Sequence, residues 1–246
     1  MSQAPRFEIR RTDESVGSRL VVGLATPGLA GLTAADHLAS RPEARQVGHL
    51  TAHGLPEVTP FTDGRPRHPS RLYALPEADL TVLVSEGFVP LPAAEPVTAA
   101  LTEFVTEREV EEVTLLHGVP YPHGPTEHAV FHVATDAYRE RRLDDGVPPL
   151  AGGFLDGVPG DLLARGLDDG PPTGVLVTPA HPPGPDFEAA IRLLETVDDL
   201  FGVASDVDAL HERSAATRLQ YEQLADRMRA LAEAEQTAYG EDRMYE

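Results

Sequence analysis

The chain has 246 residues, with 40 Asp and Glu against 20 Arg and no Lys. Its formal charge of −20 disfavours wrapping nucleic acid or lying on an anionic bilayer. Without lysine there is no Schiff base, P-loop lysine or lysine general base, and without cysteine no disulfide, thiolate nucleophile or thiolate-ligated metal.

Up to about residue 200, short apolar runs bounded by Gly, Pro and Asp alternate with helical patterns, the rhythm of an α/β sheet covered by helices. Strands are predicted at Phe7–Arg11 and Arg19–Ala25, and a helix at Thr33–Ser40 follows a glycine-rich turn. Strands at Gln46–Thr51, Arg71–Ala74 and Leu80–Glu86 precede a helix at Ala93–Arg108 that opens after two prolines. Next come strands Val113–Leu116 and His128–Val133, helices Ala134–Arg142 and Gly160–Gly166, and strand Gly174–Thr178. The last helix of the series, Asp186–Phe201, begins with an Asp in position to cap it. Proline and glycine gather in loops at Gly118–Pro125 and His181–Pro185, which are expected to be functional or to form oligomer contacts. A hydrophobic fraction of 41% predicts a real core, and the first residues lack an apolar signal region, so a soluble cytoplasmic chain is expected.

The end of the chain differs in kind. Val207, Leu210, Ser214, Thr217, Tyr221, Leu224, Met228 and Leu231 are spaced alternately three and four apart, with no Pro or Gly from Val203 to Tyr239. Two readings fit this seam, a coiled-coil arm from Arg213 or a terminal helix lying on its own domain. The narrow stripe favours the arm, because two positions per heptad bury little unless a partner helix supplies the other half.

The segment Gly23 to Leu38 reads as strand, glycine turn and helix. Such a turn either cradles a phosphate on helix N–H groups or lets a helix pack closely on a strand. No lysine and no downstream ribose-binding acid supports the first alternative.

Further along stand Thr59-Pro60-Phe61-Thr62-Asp63-Gly64-Arg65-Pro66, Leu83-Val84-Ser85-Glu86, Leu115-Leu116-His117-Gly118-Val119-Pro120, Ala134-Thr135, Gly153 to Leu163, and Pro185 to Ala190. With the glycine turn, and in this order, they resemble the PAC2 family, the proteasome assembly chaperone 2 family, over about residues 5 to 212. A departure is Gly157-Val158-Pro159-Gly160-Asp161-Leu162, where the family often has Gly-Ile-x-Gly-x-Leu. The resemblance implies a three-layer αβα sandwich similar to nucleoside phosphorylases but without their catalytic residues, and a habit of forming homo-oligomeric rings or cages. It also implies kinship with archaeal members whose coiled-coil extension accompanies proteasome chaperoning or ATP-independent activation. Older family labels of ATP-grasp or carboxylate–amine ligase type sit badly on a chain without lysine.

The sequence ends Met244-Tyr245-Glu246, the hydrophobic–tyrosine–X pattern by which proteasome activators dock between 20S α-subunits. About one sequence in a hundred of this composition would end that way by chance. Tyr245 offers a rigid aromatic with a polar tip, Met244 an adaptable apolar contact, and Glu246 a terminal carboxylate for a pocket lysine.

Other candidates are weaker. His117, His123, His128 and His132 invite a metal reading, but no His-Glu-x-x-His helix accompanies them. Glu86 and Asp63 are candidate acids of a phosphorylase-like cleft with Gly28 and Gly118, while no Gly-x-Ser-x-Gly elbow occurs. The expected organisation is therefore a PAC2-like αβα domain over 1–212, a helical arm over 213–239 and a docking tail over 240–246. The expected partners are 20S proteasome α-subunits and further copies of the chain, with no nucleic acid, membrane, cofactor, metal or catalytic residue assigned. Two rivals stand beside this reading: an enzyme using the Gly28, Asp63, Glu86 and Gly118 cleft, and a PAC2 scaffold with a non-proteasomal partner.

Overall fold

The computed structural model describes residues 5–11, 15–54, 58–120, 124, 127–143, 146–182 and 184–215. The chain divides into two compact units, Met1–Ser205 and Asp206–Glu246. In the second, residues 208–215 are helical; the rest of the anticipated arm and the tail, with Met244, Tyr245 and Glu246, lie outside the described residues.

The first unit is built on one eight-stranded sheet. Its strands are β1 (Arg6–Arg11), β2 (Arg19–Leu24), β3 (Arg45–His53), β6 (Ser70–Leu75), β7 (Leu80–Ser85), β8 (Glu112–Val119), β9 (Phe131–Ala134) and β10 (Thr173–Pro179). In space the order is β1-β3-β6-β7-β2-β8-β10-β9. The four central strands β7, β2, β8 and β10 run parallel, while β6, β3 and β1 extend one side and β9 the other by antiparallel pairing. Parallel strands covered on both faces need side chains that can be buried in either direction. The runs Leu-Val-Val-Gly-Leu in β2, Leu-Thr-Val-Leu-Val-Ser in β7 and Thr-Gly-Val-Leu-Val-Thr-Pro in β10 meet that demand.

Side-chain alternation sorts these strands into two layers of core. Leu20, Val22, Leu24, Val113, Leu115, Val175 and Val177 face Val97, Leu101 and Phe104 of α2 (Ala94–Glu107) and Val158 and Leu162 of α4 (Gly157–Leu167). On the opposite face α1 (Ala30–Ala39) packs on β2, β7 and β8 and against α5 (Phe187–Phe201), which also covers β10. The short α3 (Asp136–Arg142) is fixed by buried Tyr138, whose hydroxyl is hydrogen-bonded to Thr114 Oγ1 at 2.7 Å. Asp186 caps α5 as its sequence position predicts, its carboxylate accepting from the Ala189 N–H at 3.0 Å.

Several element limits differ from the sequence reading, each for a local reason. Helix α1 starts at Ala30 rather than Thr33, because Leu29 at φ 50 turns the chain and the glycine segment is itself the first helical turn. β9 covers Phe131–Ala134 only; before it, the Ala129 carbonyl accepts from Thr178 Oγ1 instead of joining the ladder. Helix α4 begins at Gly157, since Pro159 sits in the first turn, where the missing N–H costs nothing. A small hairpin of β4 (Phe61–Thr62) and β5 (Arg65–Pro66) stands where no strand is anticipated. Its corner is Asp63-Gly64, at φ 50 and 73, the pair of positive φ values that a two-residue hairpin turn demands. No helix among the described residues is long and apolar enough to cross a membrane.

Candidate functional site

In a parallel α/β sheet ligands usually bind outside the carboxyl ends of the strands, where helix N-termini and loops leave a crevice. Here the part of that region at the start of α1 is filled by the protein itself. A Cβ placed on Gly31 would stand 2.0 Å from the Leu116 carbonyl oxygen, and one on Gly23 would stand 2.4 Å from the Gly31 carbonyl oxygen. Both glycines therefore serve the close approach of α1 to β2 and β8. Gly28 and Gly118 are drawn together over Ala180, whose Cβ would lie 2.8 and 2.9 Å from a Cβ on either. The Asp186 N–H donates to the Gly28 carbonyl at 2.8 Å and the Ala180 N–H to the Val119 carbonyl at 3.0 Å, which closes the strand ends further. The turn thus carries out its packing role, with its backbone engaged by its own fold.

The two carboxylates of the supposed cleft are also accounted for. Asp63 is the corner of the exposed hairpin. Glu86 accepts from Arg67 Nη1 and Nη2 at 2.9 and 3.1 Å, a bidentate pair, and from Arg71 Nη1 at 2.7 Å. Arg71 is only 3% exposed, donates also to Tyr73 Oη and the His68 carbonyl, and lies 3.5 Å from Asp36 of α1. Burial works against its charge, but Tyr73 and Glu86 outweigh that and hold the guanidinium more firmly protonated than usual. This cluster joins the β6–β7 hairpin to α1.

The histidines are dispersed in their roles. His132 is buried and hydrogen-bonded through Nδ1 to the Val147 carbonyl at 2.8 Å, and His128 lies edge-on to His181, with 5.4 Å between ring centroids. His181 is tied to Asp186 at 2.7 Å. Burial pushes His117 down to about 4 despite the opposing charge of Asp156, and its Nδ1 finds no hydrogen-bond partner among the described residues. His123 lies outside the described residues. Among the described residues no group of three or more His, Asp or Glu could hold a metal.

Two open concavities lie away from the glycine turn: a recess at the N-termini of α2 and α4, lined by Glu95, Asp156, Gly157 and Asp161, and a groove beside the antiparallel end of the sheet. The groove, of about 700 Å³, is walled by Phe7, Leu50, Val58, Phe88, Val89 and Pro90, with Arg67 and His68 at one side. His68 stacks on His49 at 3.7 Å between centroids, and the hydroxyls of Ser70 and Ser85, also in the wall, are bonded to each other at 2.8 Å. Sequence reasoning missed this surface. Its only linear signal is aromatic residues in Pro- and Gly-rich loops, Phe61 in Thr-Pro-Phe-Thr-Asp-Gly and Phe88 in Gly-Phe-Val-Pro.

These features define a three-layer αβα protein with a mixed sheet, a close-packed glycine turn at the start of α1 and an apolar groove at its antiparallel end. The sequence model of the PAC2 family matches residues 20–225, and the chain belongs to that family. Among solved structures, the fold is similar to Pyrococcus furiosus PbaA, described as an archaeal homolog of proteasome-assembly chaperone. That match has a TM-score of 0.80 at 20% identity and covers 97% of this chain and 100% of that one. Pyrococcus furiosus PbaB, described as an archaeal proteasome activator, matches with a TM-score of 0.73 at 21% identity over 92% of this chain and 100% of that one. A PAC2 family protein from Streptomyces avermitilis matches with a TM-score of 0.64 at 20% identity, over 85% and 96%. At these identities the likeness is one of fold. No curated protein matches the sequence.

Proposed function

We propose that this chain is a haloarchaeal PAC2 protein that serves the 20S proteasome, as assembly chaperone or ATP-independent activator, and docks through Met244, Tyr245 and Glu246. The observation that carries the reading is the hydrophobic–tyrosine–X ending on a chain of this family. The full-length fold likeness to one relative described as an archaeal proteasome activator supports it. Three residues bury too little surface for tight binding. A homo-oligomer presenting several tails gains about 10²- to 10⁴-fold through effective concentration where the geometry permits, so self-assembly and a coiled-coil arm over 213–239 belong to the same proposal. The −20 charge fits a cytoplasm of concentrated salt, where a Debye length of ~3 Å at 1 M screens carboxylate repulsion.

The test is capture of 20S particles from a high-salt lysate by the intact chain, by Tyr245→Ala and by a chain lacking Met244–Glu246. Capture by the intact chain alone is expected. Equal recovery by all three would sink the docking role. A change in peptide hydrolysis on adding the intact chain to purified 20S particles distinguishes activation from passive association.

A further inference from the structure

We infer that the groove of about 700 Å³ binds a small amphipathic monocarboxylate, with its apolar body on Phe7, Leu50, Val58 and Phe88 and its carboxylate toward Arg67, His68 and Ser70. The inference goes beyond the proteasomal reading and does not depend on it.

The lining is of two kinds. Phe7, Leu50, Val58, Phe88, Val89 and Pro90 form the apolar wall, and two of them stand well out in water, Val58 at 58% and Phe88 at 75% exposure. A mainly apolar concavity of this volume with a few gathered polar groups is the ordinary form of a small-molecule site. The polar groups come from segments 67–70 and 85–87. The pairing of Ser70 with Ser85, and the bond from the Glu86 N–H to the Pro69 carbonyl at 2.8 Å, hold those segments together.

These groups offer donors in excess of acceptors. Arg67 gives Nη1 and Nη2 to Glu86, but its Nε is buried with no hydrogen-bond partner among the described residues. A third of that side chain is exposed, so a small rotation brings the Nε–H to an acceptor in the groove. The Ser70 and Ser85 hydroxyls are bonded to each other at 2.8 Å, which uses one O–H and leaves the second to donate. His68 presents a ring N–H in either neutral tautomer; its ring lies face to face with His49 and makes no hydrogen bond to a described residue. Glu86, the acid beside these donors, already accepts from Arg67 twice and from Arg71. Buried donors without acceptors are costly, and one carboxylate can accept from several of them.

Charge agrees with that choice. Glu86 sits between the guanidiniums of Arg67 and Arg71, so its charge is compensated before a second carboxylate arrives. Asp36 approaches Arg71 at 3.5 Å from α1, with more than half of its side chain in water, and Asp63 stands at the exposed hairpin corner. Neither lines the groove. In concentrated salt, with a Debye length of ~3 Å at 1 M, the remaining surface charge acts weakly at this distance. An ammonium head would add donors to donors, and a purely apolar molecule would leave them unmet.

The test is calorimetric titration of the full chain in high salt with octanoate, octanol and octylammonium. Octanoate is expected to bind once per chain and about tenfold tighter than octanol, or more, with octylammonium binding undetected. Phe88→Ala, at a position largely in water, is expected to weaken octanoate and octanol alike, by about fivefold. Phe154→Ala, fully exposed and outside the groove lining, is expected to change neither. His68→Phe keeps an aromatic ring on His49 and removes the N–H, so octanoate is expected to weaken about tenfold while octanol is unchanged. Cooperative thermal unfolding checks each variant. Should His68→Phe fail to fold, Ser70→Ala with Ser85→Ala takes its place, removing both hydroxyls together, with the same split expected. Absence of saturable octanoate binding, equal affinity for octanoate and octanol, tighter binding of octylammonium, or octanoate affinity untouched by Phe88→Ala would each overturn the assignment. An equal loss for octanoate and octanol in the head-group variant would do the same. Removal of Met244–Glu246 bears on 20S capture alone, so the docking reading and the groove assignment fail separately.

Discussion

Gly31→Ala distinguishes a packing glycine from a ligand-cradling one. Judged by helix propensity alone, alanine in α1 would stabilise by up to about 1 kcal/mol. The structure predicts the opposite sign. The new Cβ would stand 2.0 Å from the Leu116 carbonyl oxygen and 3.3 Å from Leu116 Cβ, while a close carbon–oxygen contact is about 3.3 Å. Relief requires a movement of roughly 1.3 Å between α1 and β8. The obstruction is backbone in the middle of a hydrogen-bonded strand, so no side chain can swing aside. Overpacking of this kind costs about 1–3 kcal/mol and occasionally more, and the upper end applies because Gly23 already holds α1 from β2. The net expectation is a loss of about 2 kcal/mol, or roughly 4–8 °C in Tm for a chain of this size. Gly152→Ala, where nothing lies within 4 Å of the new Cβ, is the control and is expected to leave Tm within about 1 °C. Differential scanning calorimetry of the three chains in the same salt makes the comparison. A Gly31→Ala Tm equal to or above wild type would refute the reasoning and reopen a ligand role for the turn.

Two further outcomes follow from the buried charges. His117 has a folded-state pKa of about 4 against an ordinary 6.5, so between those values the unfolded chain binds a proton that the folded chain does not. Stability is therefore expected to fall as pH drops from about 6.5 to about 4, by at most about 3 kcal/mol. The difference between wild type and His117→Asn in Tm across that window isolates this residue from the carboxylates, and parallel curves would contradict it. Glu86→Gln leaves the buried Arg71 with the exposed Asp36 as its one acidic partner among the described residues and is expected to cost about 3 kcal/mol. Adding Arg71→Met should recover most of that loss in a denaturant-unfolding cycle, and an additive double variant would show the two residues to be uncoupled.

Much of the sheet is legible from local pattern, because strands buried on both faces must be continuously apolar and few other segments are. β2, β7 and β10 announce themselves in this way. The N-terminal turn of α1 is not legible, since the glycine run that looks like a loop is helical only by virtue of its approach to Leu116. The β4–β5 hairpin carried its signal in Asp63-Gly64, but two-residue strands leave no alternation to read. Neither Glu86 nor Arg71 betrays the other in sequence, because the ion pair is created by strand register.

The sequence by itself determined the charge, the absence of lysine and cysteine, the alternation of strand and helix, the resemblance to the PAC2 family and the three residues on which the docking proposal rests. Those are properties of composition, order and short spacing, which a linear chain carries without folding. Tertiary structure alone decided that Gly28 and Gly118 pack together over Ala180, and that an apolar groove joins Phe7, Leu50, Val58 and Phe88. These residues come from segments up to 81 positions apart, and only the pairing of β1 with β3, β3 with β6, and β6 with β7 brings their side chains to one wall.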